Sequence, residues 1–509
     1  MSRFALAAST ALATVFSAGI AQADVTADDV WTNIRAYLDT LGGTLSVQPA
    51  RTGNTLSTGE LALEWMLPFD AGKVSLRESS FDLVESGDGT VEIVVPDGFE
   101  LHFAFEPKDK PKFAVGVKFD MTGGKTTASG DPGDVTYISA FETITMSLTD
   151  LQVPEVANPD ARLNLTMNDL KSEQRVVVGK LVSVSGSSTH GAYDASFSMN
   201  DGKGGTFEQS NKAAAGTGTY SMVLPRNGMD IMNLAAAVRG GLMFKADTEI
   251  KGYETHQTVM AGAKTVQEQH SVVDIYKIGM RFDKDGIALN GDGTDTSAKM
   301  FMPEIIPLEI NLDAAKTAGK IALPLTSGEE LKTVAMSMEI SGLTVGESLW
   351  GLIDPGKAIP RDPATLRLDM TAEVKSFVDW LDFMSVKAME DAGEVPGEIH
   401  SATLNDLTVE AAGASLVASG AATFDNTDKV TFNGFPKPTG TLDMTLKGSN
   451  ALIEKLVGMG LVSDEEAMGA RMGIGMVAKP APEEGEDVLK SHIELTEEGQ
   501  VMANGIRIK

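Results

Sequence analysis

The sequence predicts an α+β protein that is predominantly β: extended or curved antiparallel sheet(s), an N-terminal helix, mid-chain helices and a C-terminal helical hairpin. Three observations predict this class. Apolar and polar residues alternate over many short runs, Asp-Gly and Asn-Gly pairs punctuate the runs, and few stretches have helical spacing.

The first helix follows Thr26-Ala27-Asp28-Asp29, a capping box with Asp in place of the usual Glu. Trp31, Ile34, Leu38 and Leu41 recur at helical spacing, and Gly42-Gly43 supplies the stop. The period then changes to two. Phe99, Leu101, Phe103 and Phe105 alternate with polar or small residues, Pro107 to Pro111 reads as a turn, and Phe113, Val115, Val117 and Phe119 alternate again. These runs predict a hairpin with one apolar face. Val74/Leu76, Val91/Ile93/Val95, Leu163/Leu165/Met167 and Leu442/Met444/Leu446 are shorter runs of the same kind. Asp88-Gly89, Asp201-Gly202, Asp285-Gly286 and Asn290-Gly291 read as turns between them.

Mid-chain helices are expected over Met229 to Arg239, stopped by Gly240-Gly241, and from about Glu373 to Met389. The second rests on the stripe Val374, Phe377, Val378, Leu381 and Met384. Leu452, Ile453, Leu456 and Val457 mark a later helix. Gly458-Met459-Gly460 turns the chain, and Ser463-Asp464-Glu465-Glu466 opens its partner, so residues 450–475 predict an αα-hairpin. The chain closes on Ile493/Leu495 and then Val501 to Ile508, with Asn504-Gly505 inside the last run.

Thr166-Met167-Asn168-Asp169-Leu170 echoes Thr403-Leu404-Asn405-Asp406-Leu407, and helix–Gly-Gly–strand occurs at both Gly42-Gly43 and Gly240-Gly241. The echo suggests β-rich halves over 24–224 and 225–509, which one continuous domain would also accommodate. Pro480 to Glu486 reads as a solvated acidic connector.

The 509 residues include 42 Lys+Arg against 71 Asp+Glu, a net charge of −29 and a pI near 4.6. With no basic block to offset it, this charge argues against nucleic acid and anionic lipid surfaces. The absence of Cys removes disulfides, thiolate metal sites and cysteine nucleophiles. Met1-Ser2-Arg3, the apolar stretch Phe4 to Ile20 and Ala21-Gln22-Ala23 together read as a cleavable signal peptide, with cleavage after Ala23. The mature chain would start at Asp24 in the periplasm, without a transmembrane span. Losing Arg3 makes its charge 41 − 71 = −30.

Asn450 to Val457, Glu466 to Arg471 and Val501 to Gly505 resemble the C-terminal signature of an uncharacterised bacterial exported family, domain of unknown function 2125. Leu366 to Asp369 and Gly440 to Asp443 extend the likeness over most of the mature chain. The resemblance implies an envelope location and assigns no residue roles. At the level of fold alone, the chain is also similar to AsmA-like envelope proteins, which are associated with lipid handling.

Catalytic motifs fail on inspection. Gly346-Glu347-Ser348-Leu349-Trp350-Gly351 is one residue too long for a nucleophile elbow, and reads as an apolar segment. Gly123-Gly124-Lys125-Thr126 lacks the earlier Gly of a phosphate loop, since that position is Phe119. Gly473 and Gly475 lack the third Gly of a dinucleotide fingerprint. Counted from Asn290, the twelfth position of a calcium loop is Phe301 rather than Glu. No catalytic, cofactor or metal residue is therefore assigned, and no cofactor is expected.

Of the six His, His102, His190, His400 and His492 are scattered. A hairpin centred near Ala263 would make His256 face His270, with Glu254 and Glu268 on the same face. Such a set suits a divalent metal or, more plainly, a solvated sheet surface. Met468, Met472 and Met476 share one helix face, next to Gly469 and Gly473. Such a stripe serves core packing or a tolerant apolar binding surface.

The function expected first is a non-enzymatic exported protein that binds an apolar or lipid-like ligand in a β-sheet groove. A structural or interaction protein of the envelope is the alternative. A carboxylate-dependent hydrolase is the third reading, because 71 carboxylates conceal any working pair. Whether the apolar strand faces bound a groove or a filled core separates the first reading from the rest.

Overall fold

A computed structural model describes residues 24–67, 71–154, 160–226, 228–230 and 232–509. The expected signal peptide, 1–23, lies outside the described residues. The described chain is predominantly β, with antiparallel pairing throughout and six helices. It divides into two units, one running to Lys284 with Met300–Pro307, the other comprising Asp285–Lys299 and Leu308–Lys509. Pro225, the expected junction of two halves, ends a strand inside the first unit.

The first unit opens with α1 (Ala27–Thr40). Short strands follow: β1 (Thr44–Ser46), β2 (Ala50–Thr52), β3 (Thr55–Ser57), β4 (Leu61–Met66), β5 (Gly72–Glu78), β6 (Asp82–Glu85) and β7 (Val91–Val94). Longer ones are β8 (Phe99–Pro107), β9 (Phe113–Thr122), β10 (Lys125–Asp131), β11 (Asp134–Gln152), β12 (Asp160–Val178) and β13 (Leu181–His190). Then come β14 (Tyr193–Asn200), β15 (Gly205–Ala213), β16 (Ala215–Pro225), α2 (Leu234–Arg239), β17 (Met243–Ala261) and β18 (Lys264–Asp283).

Thr26 caps α1 as expected, with reciprocal bonds of 3.2 Å from Asp29 N–H to Thr26 Oγ1 and 3.0 Å from Thr26 N–H to Asp29 Oδ2. Glu85 accepts from Ala27 N–H at 2.9 Å. That bond, with Arg51 beside it, holds the Glu85 carboxyl below its ordinary range at the positive helix end. The helix packs on β3, β6, β11, β12 and β13. Val30, Leu83, Val91, Val135, Val182 and Leu224 are buried completely in this unit. Asn33 enters the same core, donating to the Val176 carbonyl at 3.1 Å and accepting from the Tyr137 hydroxyl at 2.8 Å.

The expected aromatic hairpin is β8–β9, in register from Phe99↔Phe119 to Phe105↔Phe113. Asp109, at φ +58, makes its turn. The apolar face is not fully covered, since Phe103 and Phe105 remain 38% and 36% exposed. Met229 to Arg239 is helical only from Leu234. Asn233 stops the helix from extending backwards, because its side chain accepts from Ala236 N–H and caps there.

The second unit carries most of β19 (Gly286–Met302) and β20 (Ile306–Leu323), then β21 (Lys332–Val345), α3 (Glu347–Ile353), β22 (Ala364–Ser376) and α4 (Phe383–Ala392). It continues with β23 (Gly397–Ala411), β24 (Ala414–Asp425), β25 (Lys437–Lys447), α5 (Ser449–Gly458) and α6 (Asp464–Val477). It ends with β26 (Lys479–Pro480), β27 (Val488–Leu495), β28 (Val501–Ala503) and β29 (Ile506–Arg507). From β20 to β25 each strand pairs with the next, and β25 pairs with β27.

Two expectations fail here. Asn290-Gly291 lies inside β19 rather than in a turn, because ladder bonding to β20 outweighs its turn preference. The expected helix over 373–389 is the end of β22, a loop and α4. Val374 pairs with Lys332 on one side and Ile399 on the other, so the sheet claims it from both edges. Asp382 then starts α4 by accepting from Met384 and Ser385 N–H, and Gly393 at φ +64 ends it. The helical spacing of Val374, Phe377 and Val378 spans a strand end and a loop.

The αα-hairpin is α5–α6, and Ser463 with Glu466 forms its capping box. Ser463→Ala is expected to destabilise α6 by about 1 kcal/mol. Amide exchange over Asp464–Val477 should then run roughly fivefold faster.

Candidate functional site

Pairing in the second unit separates two faces. On one, Ile321, Met336, Met370 and Leu404 form a row across β20 to β23. The next row is Met338, Leu368, Leu407, Ala418 and Met444, and the third is Ile340, Leu366, Val409, Leu416 and Leu446. Side chains alternate in β strands, so the intervening residues form the other face. That face is charged and internally paired, with Arg367 on Asp406 at 3.0 Å and Lys316 on Glu339 at 2.5 Å.

The apolar face is not sealed. Met336 is 47% exposed and Met370 41%, while Leu366, Leu368, Leu404 and Leu407 are half-buried. The buried apolar residues of this unit are mainly alanines (Ala314, Ala418, Ala467, Ala481 and Ala503). The large, fully buried aliphatic side chains all belong to the first unit. The two units therefore differ in kind. One has a filled core under α1, and the other has an apolar sheet face open to solvent.

The Met stripe of α6 is also open. Ala467 faces inward, whereas Met468, Met472 and Met476 point outward, the last 72% exposed.

In the first unit the expected hairpin symmetry is present. His256 pairs directly with His270, and the turn closes at Ala261↔Lys264. Their ring centres lie 5.9 Å apart. Each imidazole meets a carboxylate of the opposite strand, His270 Nε2 to Glu254 at 2.7 Å and His256 Nε2 to Glu268 at 3.7 Å. Among the described residues, no three metal-ligating side chains gather around one point. His256 also lines an open cavity of about 230 Å³ with Arg162, Asn164, Ser196, Ser198, Glu208 and Ser210. These residues come from β12, β14, β15 and β17, aligned by the pairs Asn164↔Ser196, Ser196↔Ser210 and Ser210↔His256. Distance along the chain hid this grouping from sequence reasoning. Glu208 is the one carboxylate in the lining.

The other histidines are dispersed. His102 contacts Glu100 at 2.8 Å, His492 contacts Asp443 at 2.7 Å, His400 lies 3.6 Å from Glu398, and His190 bonds the Gly191 carbonyl. Glu78 is the most perturbed carboxyl of the apolar strands. It stands on β5 between Leu61 and Leu101, and burial pushes it up to about 7. Gly123-Gly124 is the bend between β9 and β10, and Ser348 lies in the short helix α3 with its hydroxyl donating to the Glu309 carbonyl.

No helix among the described residues is long and apolar enough to cross a membrane. No curated protein matches the chain. The open apolar face falls in the part of the chain with a family match. Residues 309–508 match the family described as an uncharacterized protein conserved in bacteria (DUF2125), the family that the C-terminal residues resemble.

Proposed function

We propose that the protein is a non-enzymatic, exported periplasmic protein that binds an apolar or lipid-like ligand along the open face of the second unit's sheet. The observation that carries this reading is the set of Met and Leu rows across β20 to β25, whose Leu side chains stay half-buried while Met336 and Met370 are 47% and 41% exposed. Contiguous exposed apolar surface marks interaction sites more often than chance, and Met tolerates ligands of varied shape. The N-terminal residues, read as an export signal, support the compartment. The surrounding acidity argues against an anionic bilayer surface as the ligand.

Native mass spectrometry of the gently purified protein tests the proposal, with bound lipid as the expected result. Met370→Glu places a charge in the middle of the face and should abolish lipid retention. It should change stability by no more than about 0.5 kcal/mol, because Met370 is exposed. A protein that carries no lipid and takes up none, or a variant that retains it equally, overturns the reading.

The exposed Met stripe of α6 favours a second reading, a protein partner in the envelope. A photo-crosslinker at Met472 that recovers no partner from intact cells would remove it.

A further inference from the structure

We propose that His256 and His270 form a two-histidine site for a first-row divalent cation, Zn²⁺ or Cu²⁺, on the sheet of the first unit. Both side chains stand on the same face of paired strands, and β15 braces β17 on its other side through Ser210↔His256. A zinc–nitrogen bond of about 2.0–2.1 Å puts the metal roughly 3.2 Å from each imidazole centre, so two rings that share one ion lie at most about 6.4 Å apart. The observed 5.9 Å meets that limit without any movement of the backbone.

The carboxylates supply the second requirement. An imidazole that binds a metal through one nitrogen commonly donates the other N–H to a carboxylate, which fixes the ring and raises its basicity. Glu254 accepts in this way from His270 Nε2 at 2.7 Å, which leaves Nδ1 with the lone pair. On the other ring, His256 Nε2 lies 3.3 Å from the Thr258 hydroxyl, with the Glu268 carboxylate 3.7 Å away as an ion-pair partner rather than a hydrogen-bond acceptor. The two carboxylates also balance the charge of a dication. Because no third protein ligand converges, water completes the coordination shell, and the cavity beside His256 gives it room. His102 and His492 also meet carboxylates but have no second histidine across the sheet. His102 faces Arg77 and Gly116, and His492 faces Asp443.

Calorimetric titration of the tag-free, chelator-stripped protein with zinc chloride tests the site. One equivalent should bind per chain. His256→Ala and His270→Ala should each weaken binding by more than about tenfold, and Glu254→Gln by about tenfold, as loss of a supporting carboxylate does. His102→Ala should leave the titration unchanged. All these side chains are partly exposed, so circular dichroism should show each variant folded. With Cu²⁺, electron paramagnetic resonance should show two nitrogen ligands. No zinc uptake, uptake that survives both His256→Ala and His270→Ala, or a single-nitrogen copper signal overturns the assignment.

Discussion

Replacing Asn33 with alanine is expected to destabilise the first unit by roughly 2–5 kcal/mol. The residue is 1% exposed, and both ends of its amide are used, one on the Val176 carbonyl and one on the Tyr137 hydroxyl. Truncation leaves the buried Tyr137 hydroxyl without a partner, worth about 1–3 kcal/mol when orphaned, and strips a second donor from the Val176 carbonyl, which stays in register with Val135 in the β11–β12 ladder. It also opens a void beneath α1. Burial already pushes the Tyr137 phenol well above its ordinary range, so ionisation offers no relief. Urea unfolding followed by fluorescence checks the expectation, because Trp31 and Trp65 report from this unit. Tyr137→Phe removes only one of the two bonds and should cost less. The double variant should lose less than the sum of the single losses, since the two side chains share a bond. A loss below about 0.5 kcal/mol for Asn33→Ala would contradict the assigned role.

Glu78→Gln is expected to stabilise the same unit, and only at high pH. The folded-state value near 7 stands above the ordinary 4.5 because burial penalises the charged form. Below about pH 4.5 both folded and unfolded chains hold the proton, so the group contributes no difference. Between about 4.5 and 7 the folded state alone holds it, and stability falls as pH rises. Above 7 the charged carboxylate carries its full penalty, about 3 kcal/mol for a shift of this size. Paired urea titrations of both proteins at pH 4 and pH 8 should therefore agree at the lower pH and diverge at the higher. An equal difference at both values would show that burial of this carboxyl is not the cause.

Local signals survived folding well where they were self-contained. The boxes at Thr26 and Ser463 act within one turn, and both caps form as spelled. The aromatic hairpin was legible because its two runs and their turn are contiguous. His256 and His270 were legible for the same reason, being placed symmetrically about one turn. Val374 misled because its helical spacing competes with bonding to two strands that the local sequence does not contain. Asn290-Gly291 misled in the same way. The cavity around Arg162, Ser196 and Glu208 had no sequence signal, because its strands are separated along the chain. Alternation in β20 to β25 showed which residues share a face. Whether anything covers that face depends on distant chain, so the open Met rows emerged only in three dimensions.

The neighbour-to-neighbour order of β20 to β25 has a consequence for how this region comes apart. A sheet in which each strand is bonded only to its sequence neighbours behaves as a nearly one-dimensional array, where stability is a sum of adjacent couplings. Such an array frays from its ends instead of melting at once, and amide protection grades along it. The same arithmetic lets evolution lengthen or shorten the face by one hairpin at a time without rebuilding the rest. The reach of the apolar surface is in that sense an adjustable quantity, set by the number of strands.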